Sequence, residues 1–552
     1  PIHSEHYLKI KTADDNTNIF NTPLYRKFRG MLTFLLHHKA GTIIGIVLLL
    51  IVSVCCFSFL PQTFFPDLTY NQIYMEYKMP EGTRIEKVEK DLEEIERYLK
   101  TNPAITHVTT SLGGTPARYN LVRSVADPSL RYGELIIDFK SHKDIDNCMQ
   151  DLQEYMNRHY PDAFIRLKKY NTMYMEFPIE ILVSGPDPGV LKELRNKIQD
   201  IMREEPSAML ITDNWDDPVI NMDINFNQHN ARRAGLGKTD IGLSLLSVTE
   251  GIPVGSLYDG SILKNIYLKN IGYNSLEDVT VNSMLPNITA VTEEESIQRM
   301  LMNPERKQLL IDRLTSGRPV KEISDSISFE WKDPVAYRYN GQRAVIVQCN
   351  NAYGFTAEDT RLALEKKINE RIDFPDGYSM KWLGEYKAST DSNKYLFRSL
   401  PIAVIFMFAV LVFLFRDFKK PLIIFLCLPL AYIGIVMGIF VSGKPFSFVA
   451  VVGALGLIGM MIKNGVVLID EITAQIKTGV EPVEALLSAS SSRLRPVMMA
   501  SGTTILGMIP LISDAMFGPM AVAIMGGLLV GTIITLMIIP VFYALFFNIK
   551  CD

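Results

Sequence analysis

Within the stretch GLIGMMIKNGVVLIDEI (Gly456–Ile472), Lys463 and Asn464 interrupt an otherwise apolar run. Such a run is membrane-spanning in character, and a lysine at mid-bilayer costs on the order of 2.5–3.5 kcal/mol. A charge held there usually faces a bundle interior and serves ion or proton movement; the plainer alternative is an ion pair that only ties helices together. Both uses need a carboxylate. No other apolar run of the chain carries Asp or Glu except near its ends, Asp514 standing at one edge. Asn464, Ser501, Thr503 and Thr504 supply hydrogen bonds but no charge. The acid is therefore expected from another polypeptide, or from a part of the protein outside this sequence.

The elements that must position this lysine follow from hydropathy. About 20 apolar residues cross a bilayer, and six segments qualify: 41–60, 397–415, 421–441, 446–469, 497–513 and 521–547. Residues 61–396 are water-soluble in character, so one helix precedes a large extramembrane region and five follow it. Basic residues cluster on one side of the spans: Arg26, Lys27, Arg29 and Lys39, then Arg416, Lys419 and Lys420, then Lys477, Arg493 and Arg495, then Lys550. The short loops on the opposite side hold Lys444 alone. This asymmetry predicts cytoplasmic termini and an external, in a bacterium periplasmic, large region. Residues 22–38 mix basic and apolar positions at near-helical spacing, which suits a helix at the cytoplasmic surface or a basic flank that sets topology.

Composition narrows the function classes. The 552 residues are 48% hydrophobic and 21% charged, with mean hydropathy +0.12, as in a chain divided between membrane and water. A net charge of −4 without a basic tract argues against a nucleic-acid partner. The six cysteines are scattered; Cys55, Cys56 and Cys427 suit apolar packing, and Cys148 and Cys349 fall in the soluble part. There is neither CxxC nor HExxH, the histidines show no ligand spacing, and no metal site is assigned. GxSxG and P-loop patterns are absent too, so an enzyme is not expected.

The soluble region repeats one pattern. IYMEYKM (Ile73–Met79) alternates like a half-buried strand. Ile85, Val88, Leu92, Ile95 and Leu99 then make one helical stripe, and ITHVTTSL returns as a strand. The order recurs as GELIIDF, Ile145–Tyr155, FIRLKK; as IEILVSG, Val190–Ile201, AMLITD; and as AVIVQC, Ala357–Ile372, YSMKWLG. Four such units imply two split βαβ subdomains. Residues 215–340, rich in Asn, Asp and Gly, read as an insertion in the second.

One helix, a double split βαβ region with an insertion, then five helices resembles half of a resistance–nodulation–division (RND) transporter. LPQTFFPD and MPEGTRIEKVE resemble the start of the family's periplasmic domain, and RYNGQRAVIV the return to its second subdomain. IKNGVVLIDE and RLRPVMMASGTTILGMIPL resemble the two C-terminal-half helices that carry the basic and polar members of a proton relay. The resemblance implies a fold of six transmembrane helices (1+5) with a periplasmic α+β region. That region would comprise two ferredoxin-like porter subdomains and an inserted docking domain.

The implied boundaries are 1–40 cytoplasmic or interfacial, 41–60 the first span and 61–170 the first porter subdomain. The second porter subdomain takes 171–214 and 341–390 around the docking insertion 215–340, and 391–549 holds five spans. Residues 285–316 look longer and more helical than the usual family segment.

By the same resemblance, two aspartates of an N-terminal half pair with Lys463, and their protonation drives the cycle. Asn464, Arg493, Ser501, Thr503 and Thr504 are the accompanying relay candidates. Family members often carry a threonine seven residues after the position of Arg493; this chain has Ala500. The loop SLGGTPARYN (Ser111–Asn120), with Leu112 and Tyr119, takes the place of a loop between substrate pockets. Phe177 and Ile179 fall where multidrug members line the deeper pocket, although core packing explains each by itself.

The implied function is proton-driven efflux of amphiphilic compounds, with no cofactor beyond the proton gradient. The implied assembly is a homotrimer with a periplasmic adaptor and an outer-membrane channel, in the bacterial inner membrane. The methionines, Met173 and Met175 among them, raise a heavy-metal exporting branch as the alternative, since thioethers suit soft cations. A protein-export accessory protein of the same superfamily is a second alternative, weakened by the size of the soluble region. A ligand sensor with plain anchoring helices would gain nothing from Lys463.

Overall fold

The computed structural model describes residues 23–549 apart from 117–118, 124, 174, 234–235, 273–277 and 282–317. The helical segment expected at 285–316 and the residues before 23 lie outside the described residues.

Helix α1 (Pro23–His37) buries Phe28, Leu32 and Leu36, one side of its surface, against the membrane helices and leaves Arg26, Lys27 and Arg29 exposed. Arg29 pairs with Glu484. Helix α2 (Lys39–Phe57) is the first of six helices among the described residues that are long and apolar enough to cross a membrane. A short strand β1 (Gln62–Thr63) follows it.

The first soluble subdomain runs β2 (Gln72–Lys78), α3 (Ile85–Leu99), β3 (Ile105–Leu112), β4 (Tyr132–Phe139), α4 (His142–His159), β5 (Phe164–Lys169). Its sheet has the order β3-β4-β2-β5 with every pair antiparallel. Alternation along β2 sends Ile73, Met75 and Tyr77 into the core beneath α3 and α4. Tyr74, Glu76 and Lys78 take the other face, because successive strand side chains point to opposite sides. Tyr77 is buried among apolar groups, and its hydroxyl donates to Asp91 on α3 at 2.6 Å.

The second subdomain runs β6 (Ile179–Ser184), α5 (Pro188–Arg203), β7 (Ala208–Asp213). The chain then leaves it for a separate compact unit, Asp217–Pro334. That unit holds β8 (Val219–Phe226), α6 (Gln228–Arg233), α7 (Lys238–Val248), the hairpin β9 (Ile252–Asp259) and β10 (Ile262–Leu268), β11 (Thr280–Val281), β12 (Arg318–Pro319) and β13 (Ser324–Lys332). Strands β8 and β13 pair antiparallel and a small core gathers Leu236, Ile241, Val279, Val281 and Val320.

The second subdomain resumes with β14 (Arg338–Tyr339), β15 (Gln342–Asn351), α8 (Ala357–Arg371) and β16 (Ser379–Trp382). Its sheet order is β14-β15-β6-β16, with β7 also on β15. Trp215 closes this core with its indole N–H on the Ala344 carbonyl at 2.8 Å. Cys148 and Cys349 are free thiols.

The remaining helices are α9 (Gly384–Phe415), α10 (Lys419–Cys427), α11 (Ala431–Ser442), α12 (Phe448–Lys477), α13 (Pro482–Met508) and α14 (Gly518–Phe546). Three extend beyond the apolar windows: α9 begins 13 residues before 397, α12 continues to Lys477, and α13 starts at Pro482. The windows register hydrocarbon character, whereas the helices run on through polar residues that lie outside it. The span expected at 421–441 is one apolar rod divided into α10 and α11 by a turn at Leu428–Leu430, where Pro429 withholds a backbone donor. Helix α14 is the hub, packing on α10, α11, α12 and α13. Its Gly526 meets Gly434 and Gly438 of α11 so closely that a Cβ at 526 would stand 2.5 Å from the Gly434 carbonyl oxygen.

Candidate functional site

Lys463 lies near the middle of α12, and the bundle does not enclose it. With Val452, Gly456, Gly459 and Asp470 it forms an exposed stripe at helical spacing, while Gly453, Leu457, Met461, Gly465 and Leu468 face inward. A Cβ at Gly456 or Gly459 would meet nothing within 4 Å. Among the described residues no carboxylate pairs with Lys463. Asn464 is partly buried beside it.

The other relay candidates fall on two faces. Ser501 of α13 is buried, its hydroxyl 2.8 Å from the Thr532 hydroxyl of α14. Thr503 and Thr504 bond back to the Ala500 carbonyl of their own helix, at 2.9 and 3.1 Å. Ala500 and Thr503 share an exposed face with Pro496 and Met499. Arg493 ion-pairs with Glu471 of α12, and Glu471 is eight residues beyond Lys463, about 12 Å along the axis at ~1.5 Å per residue. Arg493 is thus held by an acid of this chain, away from the lysine, with its buried Nε lacking a partner among the described residues. Sequence reasoning overlooked both Glu471 as that acid and Thr532 as the partner of Ser501.

In the soluble part a cleft of about 420 Å³ opens between the two subdomains. Its walls include Met149, Met173, Met175 and Met209, with Lys168 and Asn350 among the polar groups. Beside it the helix-free face of the first sheet carries a buried ionic layer. Arg123, from the loop after β3, donates through Nη2 to Glu76 at 2.9 Å and Glu134 at 2.7 Å, with its guanidinium 4.5 Å from the Tyr74 ring centre.

Arg166 pairs with the other oxygen of Glu76 and gives Nη1 to the Glu176 carbonyl at 2.6 Å. Burial would raise the Glu76 pKa, yet Arg166, Lys168 and Arg123 outweigh it and hold the carboxyl below its usual range. Lys168 donates to the Met175 carbonyl and, at 2.9 Å, to that of Glu176. Burial, with Arg166 beside it, brings its ammonium down to about 7. Alternate residues of β5 thereby grip the segment that crosses to the second subdomain.

The four residues expected to touch substrate take different surroundings. Phe177 is 2% exposed, its ring centre 4.1 Å from the Arg166 guanidinium, so in this conformation it serves packing. Ile179 is a core residue of β6 that also borders a second, smaller cavity. Leu112 ends β3, half-exposed. Tyr119 is half-exposed with its hydroxyl 2.9 Å from that of Tyr170, and burial pushes the Tyr170 phenol up to about 12. None of the four lines the 420 Å³ cleft.

A family model described as the AcrB/AcrD/AcrF family matches residues 4–547. The chain belongs to this family, the RND permeases. Members are secondary transporters rather than enzymes. Swarming motility protein SwrC of Bacillus subtilis (strain 168) is 26% identical over 525 residues, 94% of this chain and 46% of its own length. Cobalt-zinc-cadmium resistance protein CzcA of Cupriavidus metallidurans is 23% identical over 541 residues, 94% of this chain and 48% of its own.

Among solved structures, an X-ray crystal structure of a heavy metal efflux pump superposes with a TM-score of 0.73 at 17% identity. It covers 95% of this chain and 52% of that one. The chain spans about half the length of the curated relatives it matches. The RND fold is therefore shared, and among the described residues no group of three or more His, Cys, Asp or Glu side chains is placed to hold a metal ion.

Proposed function

We propose that this chain supplies the lysine-bearing half of a proton-driven RND efflux permease of the bacterial inner membrane. Lys463 is the relay cation, and its carboxylate partners come from an N-terminal half, on the same or a separate polypeptide. The observation that carries this reading is the exposed, unpaired Lys463 on a helix face lined by Gly456 and Gly459. A mid-span ammonium is costly unless another helix covers it, and the small residues beside it permit close approach. Asn464 accompanies it, and Ser501 with Thr532 supports the relay from inside the bundle.

The six helices would stand as one before and five after a periplasmic region. In that region the two sheet subdomains act as porters and Asp217–Pro334 as the docking domain. A homotrimer with a periplasmic adaptor and an outer-membrane channel would complete the path, and the methionine-walled cleft would admit an amphiphilic substrate. Thioether walls and the names of relatives such as CzcA also favour a second reading, export of a heavy-metal cation through the same cleft.

The test is Lys463→Met in cells that carry the complete transporter. Efflux should vanish while the protein still reaches the membrane; undiminished transport would overturn the relay. Resistance to lipophilic dyes and to metal salts, scored in the same strains, separates the two substrate readings.

A further inference from the structure

The two soluble subdomains are joined at opposite ends of their sheets. At one end lies the 420 Å³ cleft, with Lys168 and Lys169 on one side and Met209, Leu210, Asn350 and Asn351 on the other. Lys169 pairs with Ile73 in the first turn of β2, and Asn351 pairs with Ala208 at the start of β7. The covalent crossing is at this end too. It leaves β5 after Lys169 and enters β6 at Ile179, the partner of Cys349.

The second junction stands at the far end of both sheets. Lys78 closes β2, about 17 Å from Ile73 at ~3.4 Å per residue. Arg131 precedes β4, whose Tyr132 pairs with Lys78. Across from them Asp216 follows the end of β7 at Asp213. Its Oδ1 takes Lys78 Nζ at 2.7 Å and its Oδ2 takes Arg131 Nη2 at 2.8 Å. Burial would raise the Asp216 carboxyl, yet the two cations outweigh it and hold it below its ordinary value.

Asp216 is also fixed from its own side. Trp215 before it is locked into the second core. Asp216 itself has φ +58°, a left-handed conformation that a residue other than glycine keeps where its surroundings over-determine it. A third contact between the subdomains is slight: the Tyr353 hydroxyl donates to the Met149 carbonyl of α4 at 3.4 Å, and both residues line the cleft. Two bodies held at two points keep one rigid motion, rotation about the line through those points. One long hydrogen bond at the rim resists it little.

We infer that Asp216 is a positioning residue of the transport cycle, the far pivot about which the cleft between the two subdomains widens and narrows. The covalent crossing is the near pivot, and Tyr353 with Met149 is the contact that parts. Held at both pivots, the subdomains swing without drifting apart, so Asp216 sets the range of widths that the cleft offers. The inference rests on the efflux reading for its purpose, since a passing substrate needs a cleft of changing width, but not for its test.

The experiment uses the complete transporter in lipid nanodiscs, with spin labels on non-natural residues introduced at Asn147 of α4 and Lys366 of α8, both exposed. Pulsed electron–electron resonance then reads the distribution of distances across the cleft. Asp216→Asn is isosteric, and Asn is at ease in the left-handed region. It should let the distribution spread to distances beyond those of the unsubstituted protein. Lys78→Met combined with Arg131→Met should spread it as far, and adding Asp216→Asn to that pair should spread it no further, because one clamp is lost only once. Glu81→Gln removes the other acid on Arg131, at 2.7 Å, leaves Asp216 in place and should change nothing.

Hydrogen exchange over β2 and β15 should stay the same in Asp216→Asn, which tells a loosened pivot apart from a loosened sheet. An unchanged distribution in Asp216→Asn, an equal spread in Glu81→Gln, or faster exchange in either strand would overturn the assignment. No transport is measured. A failed Lys463→Met test would therefore leave the pivot standing, and the failure of the pivot would leave the relay untouched.

Discussion

Replacing Arg123 by Met should loosen the first subdomain by far more than a surface change would. Its side chain is 2% exposed, and those of its partners Glu134 and Glu76 are 0% and 9% exposed. Glu76 keeps Arg166 after the substitution. Glu134 keeps the Tyr132 and Tyr119 hydroxyls at 2.8 and 3.3 Å, which are neutral. A buried carboxylate stripped of its cation costs about 3–5 kcal/mol.

The local opening of the sheet should fall by that amount, which means amide exchange roughly a hundred- to several-thousand-fold faster. Hydrogen exchange read by mass spectrometry over β2, β4 and β5 isolates this subdomain from the helices, whose exchange should not change. The double variant Arg123→Met with Glu134→Gln should regain much of the loss, because removing both charges is far milder than removing one. A loss below about 1 kcal/mol in the single variant, or no recovery in the double, would refute the view that these charges depend on each other.

Acid should weaken the same layer. The Glu76 carboxyl is held below its ordinary value of 4.5, so its contribution is complete above that value and disappears as pH falls through the lower folded one. Lys168 gives a slope of the same sign in a higher pH window. Between about 7 and 10.5 the unfolded chain binds a proton that the folded one has shed, so unfolding midpoints should rise with pH there and the rise should flatten in Lys168→Met. Gly526→Val should break the α11–α14 crossing and abolish folded yield on size-exclusion chromatography, since the Gly434 carbonyl leaves no room for a Cβ. Ala500→Thr, on an exposed face, should leave the melting temperature of this chain within a degree or two.

The six helices were legible because hydrocarbon thickness imposes a length that composition reveals. The strands were legible from alternation and α3 from its apolar stripe. What could not be read were partners across elements. Nothing local to RLRP points to Glu471, because the ion pair depends on how α12 and α13 are staggered. The buried layer was missed for a related reason. Glu76, Glu134 and Arg166 occupy the outward phase of their strands, where a sequence reader expects solvent, and the loop through Arg123 and the segment through Glu176 and Phe177 cover them. The packing of Phe177 under the Arg166 guanidinium could not be read either, because it depends on how the segment after β5 folds back on that strand.

The central place of α14 bears on how the protein is made. In its apolar window 61% of residues are buried inside the structure, against 6% for the α9 span and 11% for α2. The helix that the others pack around is thus made after the five other described spans of this chain. Until Gly518–Phe546 is threaded into the bilayer, α11 and α12 lack their most extensive packing partner, and Gly434 and Gly438 present a bare groove to lipid. Nascent chains stalled before Gly518 should accordingly be prime clients of membrane quality control. Insertion of α14, rather than of any of the five described spans before it, should mark the moment at which this bundle becomes protease-resistant.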